Sequence, residues 1–432
     1  MRASKLHLTN FRGAKNLSLD FCPGLNLLVG VNGAGKTSVL ESVAIMLSWA
    51  AARLRSAKNS GSRIADEDIH IDTATASIEL SCLASWPESR DVFWRLAQTR
   101  KGRNPNVESE DPSIAATYLS PLNEWARTAR DQLGESDSRA NLPLFVFYPV
   151  NRTFLDVPRR IRTAHTFDPL DAYESAFTTG TNFRSFFEWF REREDLENQH
   201  LRKTGTLVED EQLRAVREAI QAFLPDFSEI CIERSPLRMV ATKGDRKYSV
   251  NQMSEGEKCL FALVGDLAQR LAIANRGRDN PLRGDGIVLV DELDLHLHPA
   301  WQRMVVSRLT QTFPNCQFIV STHSPQMFGE VEAKRIWNLA IDAEAGLVAT
   351  RPTQALGLDS SEVLDEQMAA NSRNQEVSDR LAGIFRHIDA EDFRAARESI
   401  QELQIEVGGS IPELVRAESL ITMLEPAKDE GG

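Results

Sequence analysis

The stretch Leu25-Asn-Leu-Leu-Val-Gly-Val-Asn-Gly-Ala-Gly-Lys-Thr37 decides the fold. A short apolar run ends in the octapeptide Gly30 to Thr37, and the periodic apolar stretch Val39 to Leu47 follows it, giving the order strand, glycine loop, helix. The spacing G-x-x-x-x-G-K-T is chemically demanding. Backbone N–H groups wrap a triphosphate only where glycines permit unusual dihedrals and close approach. Lys36 then stands to meet the β- and γ-phosphates, and Thr37 to reach Mg²⁺. The pattern predicts a bound nucleoside triphosphate and leaves open what it drives.

With 432 residues, 42% hydrophobic and 26% charged, the chain is expected to be globular, with two or three lobes around a large core. Five cysteines (Cys22, Cys82, Cys231, Cys259 and Cys316) are scattered without a C-x-x-C pair, which speaks against a disulfide framework or zinc ribbon and suits a reducing cytoplasm. No segment approaches the roughly 18 uninterrupted apolar residues of a membrane span, so a soluble cytoplasmic protein is expected. The net charge of -12 argues against coating nucleic acid by bulk charge. Local contact with nucleic acid or a partner would fall to the basic runs Arg95, Arg100, Lys101, Arg103 and Arg159, Arg160, Arg162, although such runs are usually solvated faces.

Ahead of the loop, Leu6 and Leu8, then Leu17, Leu19 and Phe21, alternate as half-buried strands do. After a helix to about Arg55 and a polar stretch, a strand is predicted over Ala74 to Leu83, with Phe93, Arg95 and Ala97 continuing it. Residues 100–113 carry turn formers and charge and are expected to be a loop. Leu142 to Val150 has the look of a buried strand closed by Pro149. From Asn182 to Leu224 the period becomes helical: Phe183, Phe186, Phe187 and Phe190, then Leu213, Val216, Ile220 and Phe223, stopped by Pro225. That pair is much too short for a long coiled-coil arm, so a compact helical insertion is expected. Ile230 to Val250 resembles two strands around Lys243-Gly-Asp-Arg246. Beyond Ala340 a helical tail is predicted, with Val377, Leu381, Ile384, Phe385 and Ile388 on one face and Phe393, Ala396 and Ile400 on another.

Ile287-Val-Leu-Val290 is a fully apolar run ending in Asp291-Glu292, which suits a buried parallel strand with function at its carboxyl end. Asp291 would hold Mg²⁺ through water, and Glu292 is placed to polarise an attacking water. Met253-Ser-Glu-Gly-Glu257 opens a helix whose free N–H groups and dipole favour a phosphate. Phe318-Ile-Val-Ser-Thr-His323 is a second apolar strand, ending in a histidine able to hydrogen-bond a γ-phosphate. His296 and His298 form an H-x-H pair; lying in a loop, it is expected to serve contacts rather than a metal.

In this order, and with Asp294 of Glu-Leu-Asp-Leu-His-Leu-His-Pro299 following the acidic pair, the motifs resemble the ABC-type ATPase heads of RecF, Rad50 and the OLD nucleases, within the AAA family ATPases. The opening Leu8-Thr-Asn-Phe-Arg12 is similar to the start of that class. The resemblance implies an α/β head with a mixed or parallel sheet over residues 1–340, including a variable lobe at 56–150 and a helical insertion at about 182–224, and a tail at 341–432 available for partner docking. It assigns nucleotide contacts to Gly30, Asn32, Gly33, Gly35, Lys36, Thr37 and Ser38, Mg²⁺ to Thr37 and Asp291, and catalysis to Glu292 with His323 as the switch. Ser254 and Gly256 become the ABC signature and Asp294 the D-loop. Two heads would sandwich two ATP molecules, making a homodimer or higher oligomer. The Q-loop glutamine of the class has no clear counterpart; the nearest analogue is the acidic stretch Asp66-Glu-Asp-Ile69. Tyr148-Pro-Val-Asn-Arg152 looks like a family feature with no role readable from its residues.

Between Ala340 and Gly432 there is no D-x-D pair for a Toprim nuclease, and His387 alone follows His323, so no HNH nuclease is expected there. The arrangement is most similar to the PtuA-like ATPases of Septu-type antiphage systems, also found with retrons. That likeness implies a separate HNH nuclease subunit and nucleic acid reached through the complex. A RecF-like repair or chromosome-maintenance ATPase binding duplex DNA is the alternative, and a nucleotide sensor in which binding rather than turnover matters is a third.

Overall fold

A strand with no polar face needs cover on both sides, and four segments of this chain are buried along their whole length: Leu25–Val29, Leu144–Tyr148, Gly286–Val290 and Cys316–Ser321. The computed structural model describes residues 1–102, 116–135, 141–151, 167–178, 181–206, 208–366 and 374–425. In chain order the strands are β1 (Arg2–Phe11), β2 (Ala14–Asp20), β3 (Leu25–Val29), β4 (Thr75–Ala84), β5 (Arg90–Thr99), β6 (Leu144–Tyr148), β7 (Phe227–Arg234), β8 (Leu237–Lys243), β9 (Arg246–Ser249), β10 (Gly286–Val290), β11 (Cys316–Ser321), β12 (Ile336–Asp342) and β13 (Gly346–Thr350). Ten of them form one sheet in the order β5-β4-β1-β2-β13-β12-β3-β11-β10-β6.

Half of this sheet is parallel: β12, β3, β11, β10 and β6 run together. The other half is antiparallel and alternates buried and exposed positions, as β2 does. The α/β class with a mixed sheet therefore holds. Helix α1 (Lys36–Arg55) leaves the glycine loop and packs against β11, β4 and β6. Trp94 of β5 reaches it, donating its indole N–H to the Met46 carbonyl at 3.2 Å. Val92, Trp94 and Leu96 are thus the buried face of β5, while Phe93 is exposed. Phe93, Arg95 and Ala97 do not prolong the preceding strand; they lie on a separate one that pairs antiparallel with β4. A further helix, α2 (Ser120–Glu135), was not foreseen, although Leu122, Trp125, Ala126 and Ala129 give it a buried stripe at helical spacing.

The insertion consists of α3 (Phe183–Thr204) and α4 (Glu211–Phe223). Its aromatic face packs on α5 (Glu255–Ala274), with the rings of Phe186 and Phe261 edge to face at 6.1 Å. Glu194 of α3 accepts from Arg234 at 2.8 Å and from the Ile232 N–H at 3.2 Å, fastening the insertion to the small sheet β7-β8-β9. That sheet has three strands rather than two, since the chain also reverses at Ser235 and Pro236. Helices α6 (Pro299–Thr312) and α7 (Pro325–Phe328) follow β10 and β11.

Where a helical tail was expected from residue 341, β13 first completes the sheet, and the compact unit runs Met1–Ser360. After α8 (Ser360–Glu366) come α9 (Gln375–Asp389), α10 (Phe393–Val407) and α11 (Pro412–Leu424). Leu381, Ile384, Ile388, Ala396, Ile400, Leu403, Leu414, Ala417 and Ile421 give these last three helices a core of their own. Loop residues 103–113, Arg152 and the run Arg159, Arg160, Arg162 lie outside the described residues.

One buried polar network crosses the first unit. Asp266 of α5 accepts from Tyr148 Oη at 2.8 Å, Arg270 Nε at 2.7 Å and the Asn182 N–H at 3.1 Å, while Arg270 donates onward to the Ala172 and Glu174 carbonyls. Asp266 is 1% and Arg270 4% exposed, so removing one partner strands a charge out of water. Asp266→Ala is expected to lower stability by about 3–5 kcal/mol in chemical denaturation; an unchanged midpoint would remove this pair from the supports of the fold.

Candidate functional site

The parallel register brings three chain segments to one edge of the sheet. β10 and β11 pair Val290 with Val320, and β11 and β3 pair Ser321 with Leu28, so Asp291, Ser321 and the glycine loop emerge together. In the loop, Gly33 (φ 80°) and Gly35 (φ 86°) are left-handed. A Cβ on Gly33 would meet no atom within 4 Å, so this side of the loop is open. Lys36 is 6% exposed and donates to the carbonyls of Gly30 at 2.8 Å and Val31 at 3.1 Å. Burial pushes its ammonium below the ordinary lysine range, and neighbouring Asp291, Glu292 and Asp294 oppose that shift.

Thr37 donates its hydroxyl to Asp291 Oδ2 at 2.9 Å. Ser321 donates to the other oxygen of the same carboxylate, and its Oγ accepts the Glu292 N–H at 2.8 Å. One serine hydroxyl therefore orients Asp291 and fixes the backbone of Glu292, which takes a positive φ of 48°. A hydroxyl beside a carboxylate is a hard-oxygen donor set, the chemistry Mg²⁺ prefers, so these residues fit the ion. Next in the chain, Asp294 Oδ1 accepts from Thr322 Oγ1 at 2.6 Å and from the His323 N–H at 3.3 Å. Gln302 ties this loop to the next, donating to the Leu297 carbonyl at 2.9 Å while its Oε1 accepts from Ser324 at 2.8 Å.

The site thus gathers Gly30, Asn32, Gly33, Gly35, Lys36, Thr37 and Ser38 on one loop and helix start, with Asp291, Glu292, Asp294 and His323 on the neighbouring strand ends. Ser254 and Gly256 stand apart. Ser254 caps α5, its Oγ accepting the Glu257 N–H at 3.3 Å, and none of its hydrogen bonds reaches the chain's own phosphate loop. Gly256 lies under the loop after Glu292: a Cβ there would sit 2.7 Å from the His296 carbonyl oxygen. His298 caps α6 through its Nδ1, 3.3 Å from the Ala300 N–H. Among the described residues, no group of three or more His, Cys, Asp or Glu side chains is arranged to hold a metal.

Asp66–Ile69 is bound to the turn that follows β1. Asp68 accepts from Arg12 Nε at 2.9 Å and from the Ala65 N–H at 2.9 Å, and its carbonyl accepts the Arg12 N–H, so the stretch clasps the end of β1. The chain that leaves the sheet beside Asp291 is Pro149-Val150-Asn151: β6 pairs Tyr148 with Val290, and the Tyr148 carbonyl accepts the Asp291 N–H at 2.8 Å. Of the first basic run, Arg95 pairs with Glu79 at 2.7 Å and Arg100 donates to the Ile69 carbonyl at 2.9 Å, so both serve internal contacts. Sequence reasoning missed Ser321, whose signal was the first of two adjacent hydroxyls, Ser321 and Thr322, that end the apolar run Phe318 to Val320.

This fold and edge define a phosphate-loop ATPase head of the ABC type. The family model described as AAA domain matches residues 5–228, and the chain belongs to that family. It is 31% identical over 400 residues to the Retron Ec83 probable ATPase of Escherichia coli, a match covering 78% of this chain and 71% of that protein. With the Septu protein PtuA of Bacillus thuringiensis it shares 23% identity over 417 residues, 94% of each chain. Among solved structures, an Smc head bound to the C-winged helix domain of ScpA aligns over 82% of this chain and 98% of that one, at a TM-score of 0.47 and 18% identity. No helix among the described residues is long and apolar enough to cross a membrane.

Removing the buried ammonium takes away the charge-assisted bonds that a triphosphate would receive. Lys36→Ala is expected to weaken binding of a fluorescent ATP analogue about 10- to 100-fold, the equivalent of roughly 1.5–3 kcal/mol. Unaltered affinity would place the nucleotide elsewhere.

Proposed function

We propose that the chain binds and hydrolyses ATP with Mg²⁺ in a site shared between two copies. It would act as the ATPase subunit of an antiphage defence complex whose nuclease is a separate HNH polypeptide acting on nucleic acid. The observation that carries the ATPase part is the Thr37–Asp291 pair at 2.9 Å, set at the head of a glycine loop whose buried lysine rests on two loop carbonyls. The defence setting is supported by the likeness to the retron and Septu proteins.

When bound beside Thr37 and Asp291, Mg²⁺ would supply positive charge against that of the triphosphate. Lys36 exchanges the Gly30 and Val31 carbonyls for phosphate oxygens. Thr37 and Asp291 supply the hydroxyl and carboxylate that hold the ion. Glu292, its backbone fixed by Ser321, orients the attacking water and accepts its proton. His323, whose N–H is anchored to Asp294, contacts the γ-phosphate and links its presence to the loop carrying His296. Ser254 and Gly256 of a second copy close the site, a reading supported by the exposure of Ser254 and by its distance in hydrogen-bond terms from its own loop.

Glu292→Gln keeps the shape and removes the base. ATP binding should persist while turnover falls about 10²- to 10⁴-fold, and light scattering should show the mass doubling with ATP. A variant that stays monomeric when saturated with ATP would overturn the shared site.

A further inference from the structure

The turn that would meet a second copy's γ-phosphate is acidic. Glu255 and Glu257 both lie in the first turn of α5, flanking Gly256. Carboxylates favour a helix N-terminus but repel an arriving phosphate. Each has its own lysine. Lys258 Nζ is 2.8 Å from Glu255 within the same turn, whereas Lys243 Nζ, 2.8 Å from Glu257, comes from the end of β8 in the small sheet.

Glu257 is the better enclosed of the two, its side chain 12% exposed against 66% for Glu255. Its Oε2 accepts from the Ser254 N–H at 2.8 Å and from Ser254 Oγ at 2.9 Å, while Oε1 takes Lys243. The ammonium is steadied over the Phe227 ring at 4.8 Å and lies 3.8 Å from Asp226. A reciprocal cap of this kind needs no lysine, because glutamine serves at the third position as well as glutamate. The cation answers a different need: the Ser254 hydroxyl now faces a carboxylate and must be able to turn toward a phosphate.

We propose that Lys243 is a positioning residue for Ser254, neutralising Glu257 so that the capped turn accepts the γ-phosphate of a second copy. The proposal rests on the shared-site reading above. Lys243 touches neither nucleotide nor Mg²⁺; it sets the charge of the surface that Ser254 presents. The bare carboxylate left by its removal would hold the hydroxyl and repel the phosphate at once.

The test uses the full chain carrying Glu292→Gln as parent and measures ATP-dependent association by light scattering, with ATP affinity of the dilute chain and thermal unfolding recorded beside it. Lys243→Ala should weaken association about tenfold, as expected for losing one charge-assisted contact, with ATP affinity and unfolding unchanged and the deficit shrinking at high salt. Lys243→Arg should pair like the parent. The double variant Lys243→Ala with Glu257→Gln keeps the cap and removes the stranded charge, so it should recover to within roughly threefold of the parent. If the parent pairs but Lys243→Ala pairs as tightly, or if the double variant is as weak as the single one, the role of Lys243 is overturned and the shared site stands. If the parent does not pair with ATP, both fall together.

Discussion

A carboxylate that is 1% exposed must find partners inside the protein, and Asp291 finds them on two other segments, in Thr37 and Ser321. Those partners come within reach only if β3, β11 and β10 are parallel and in register, so that all three end at the same edge. Parallel strands in turn require long crossovers and cover on both faces. The fully buried strands, the helices between them and the burial of Lys36 are thus consequences of one arrangement that lets a hydroxyl and a carboxylate stand side by side.

Helix α5 joins this edge to the rest of the head. Its N-terminus presents Ser254, its body is keyed through Asp266 and Arg270 to Tyr148, and the Tyr148 carbonyl holds the backbone of Asp291. The loop between Glu292 and His298 packs against Gly256 at one side and hydrogen-bonds through Asp294 to Thr322 and His323 at the other. Contacts at the strand ends are therefore continuous with the surface proposed to meet a second copy. No long-range device is needed: the same short loop touches the strand ends and the turn that opens α5.

The parts visible in the sequence were those where a backbone demand is local. Gly33 and Gly35 must be glycine for the turn, and the run Ile287 to Val290 declares a strand buried on both faces. What was hidden depends on partners far along the chain. Asp66 to Ile69 offers only an acidic stretch as the nearest analogue of the class's glutamine, and nothing within it announces that Asp68 pairs with Arg12 from the turn after β1. Tyr148 looked like an unexplained family mark because its partner Asp266 follows 118 residues later. The alternation of Phe93, Arg95 and Ala97 suggests a continued strand, but it does not show the reversal between β4 and β5, and only packing against α1 selects Trp94 as the buried side. Ser321 went unremarked because a small hydroxyl in an apolar run fits a strand without further explanation.

The most direct measurement of the central claim, that Lys36 and Ser254 of different copies build one site, is complementation by mixing. Chains carrying Lys36→Ala retain Ser254, and chains carrying Ser254→Arg retain Lys36; each alone should be nearly inactive in ATP turnover. A shared site predicts that an equimolar mixture recovers activity through heterodimers with one intact composite site. Turnover in the mixture no greater than the mean of the two separate preparations would contradict it.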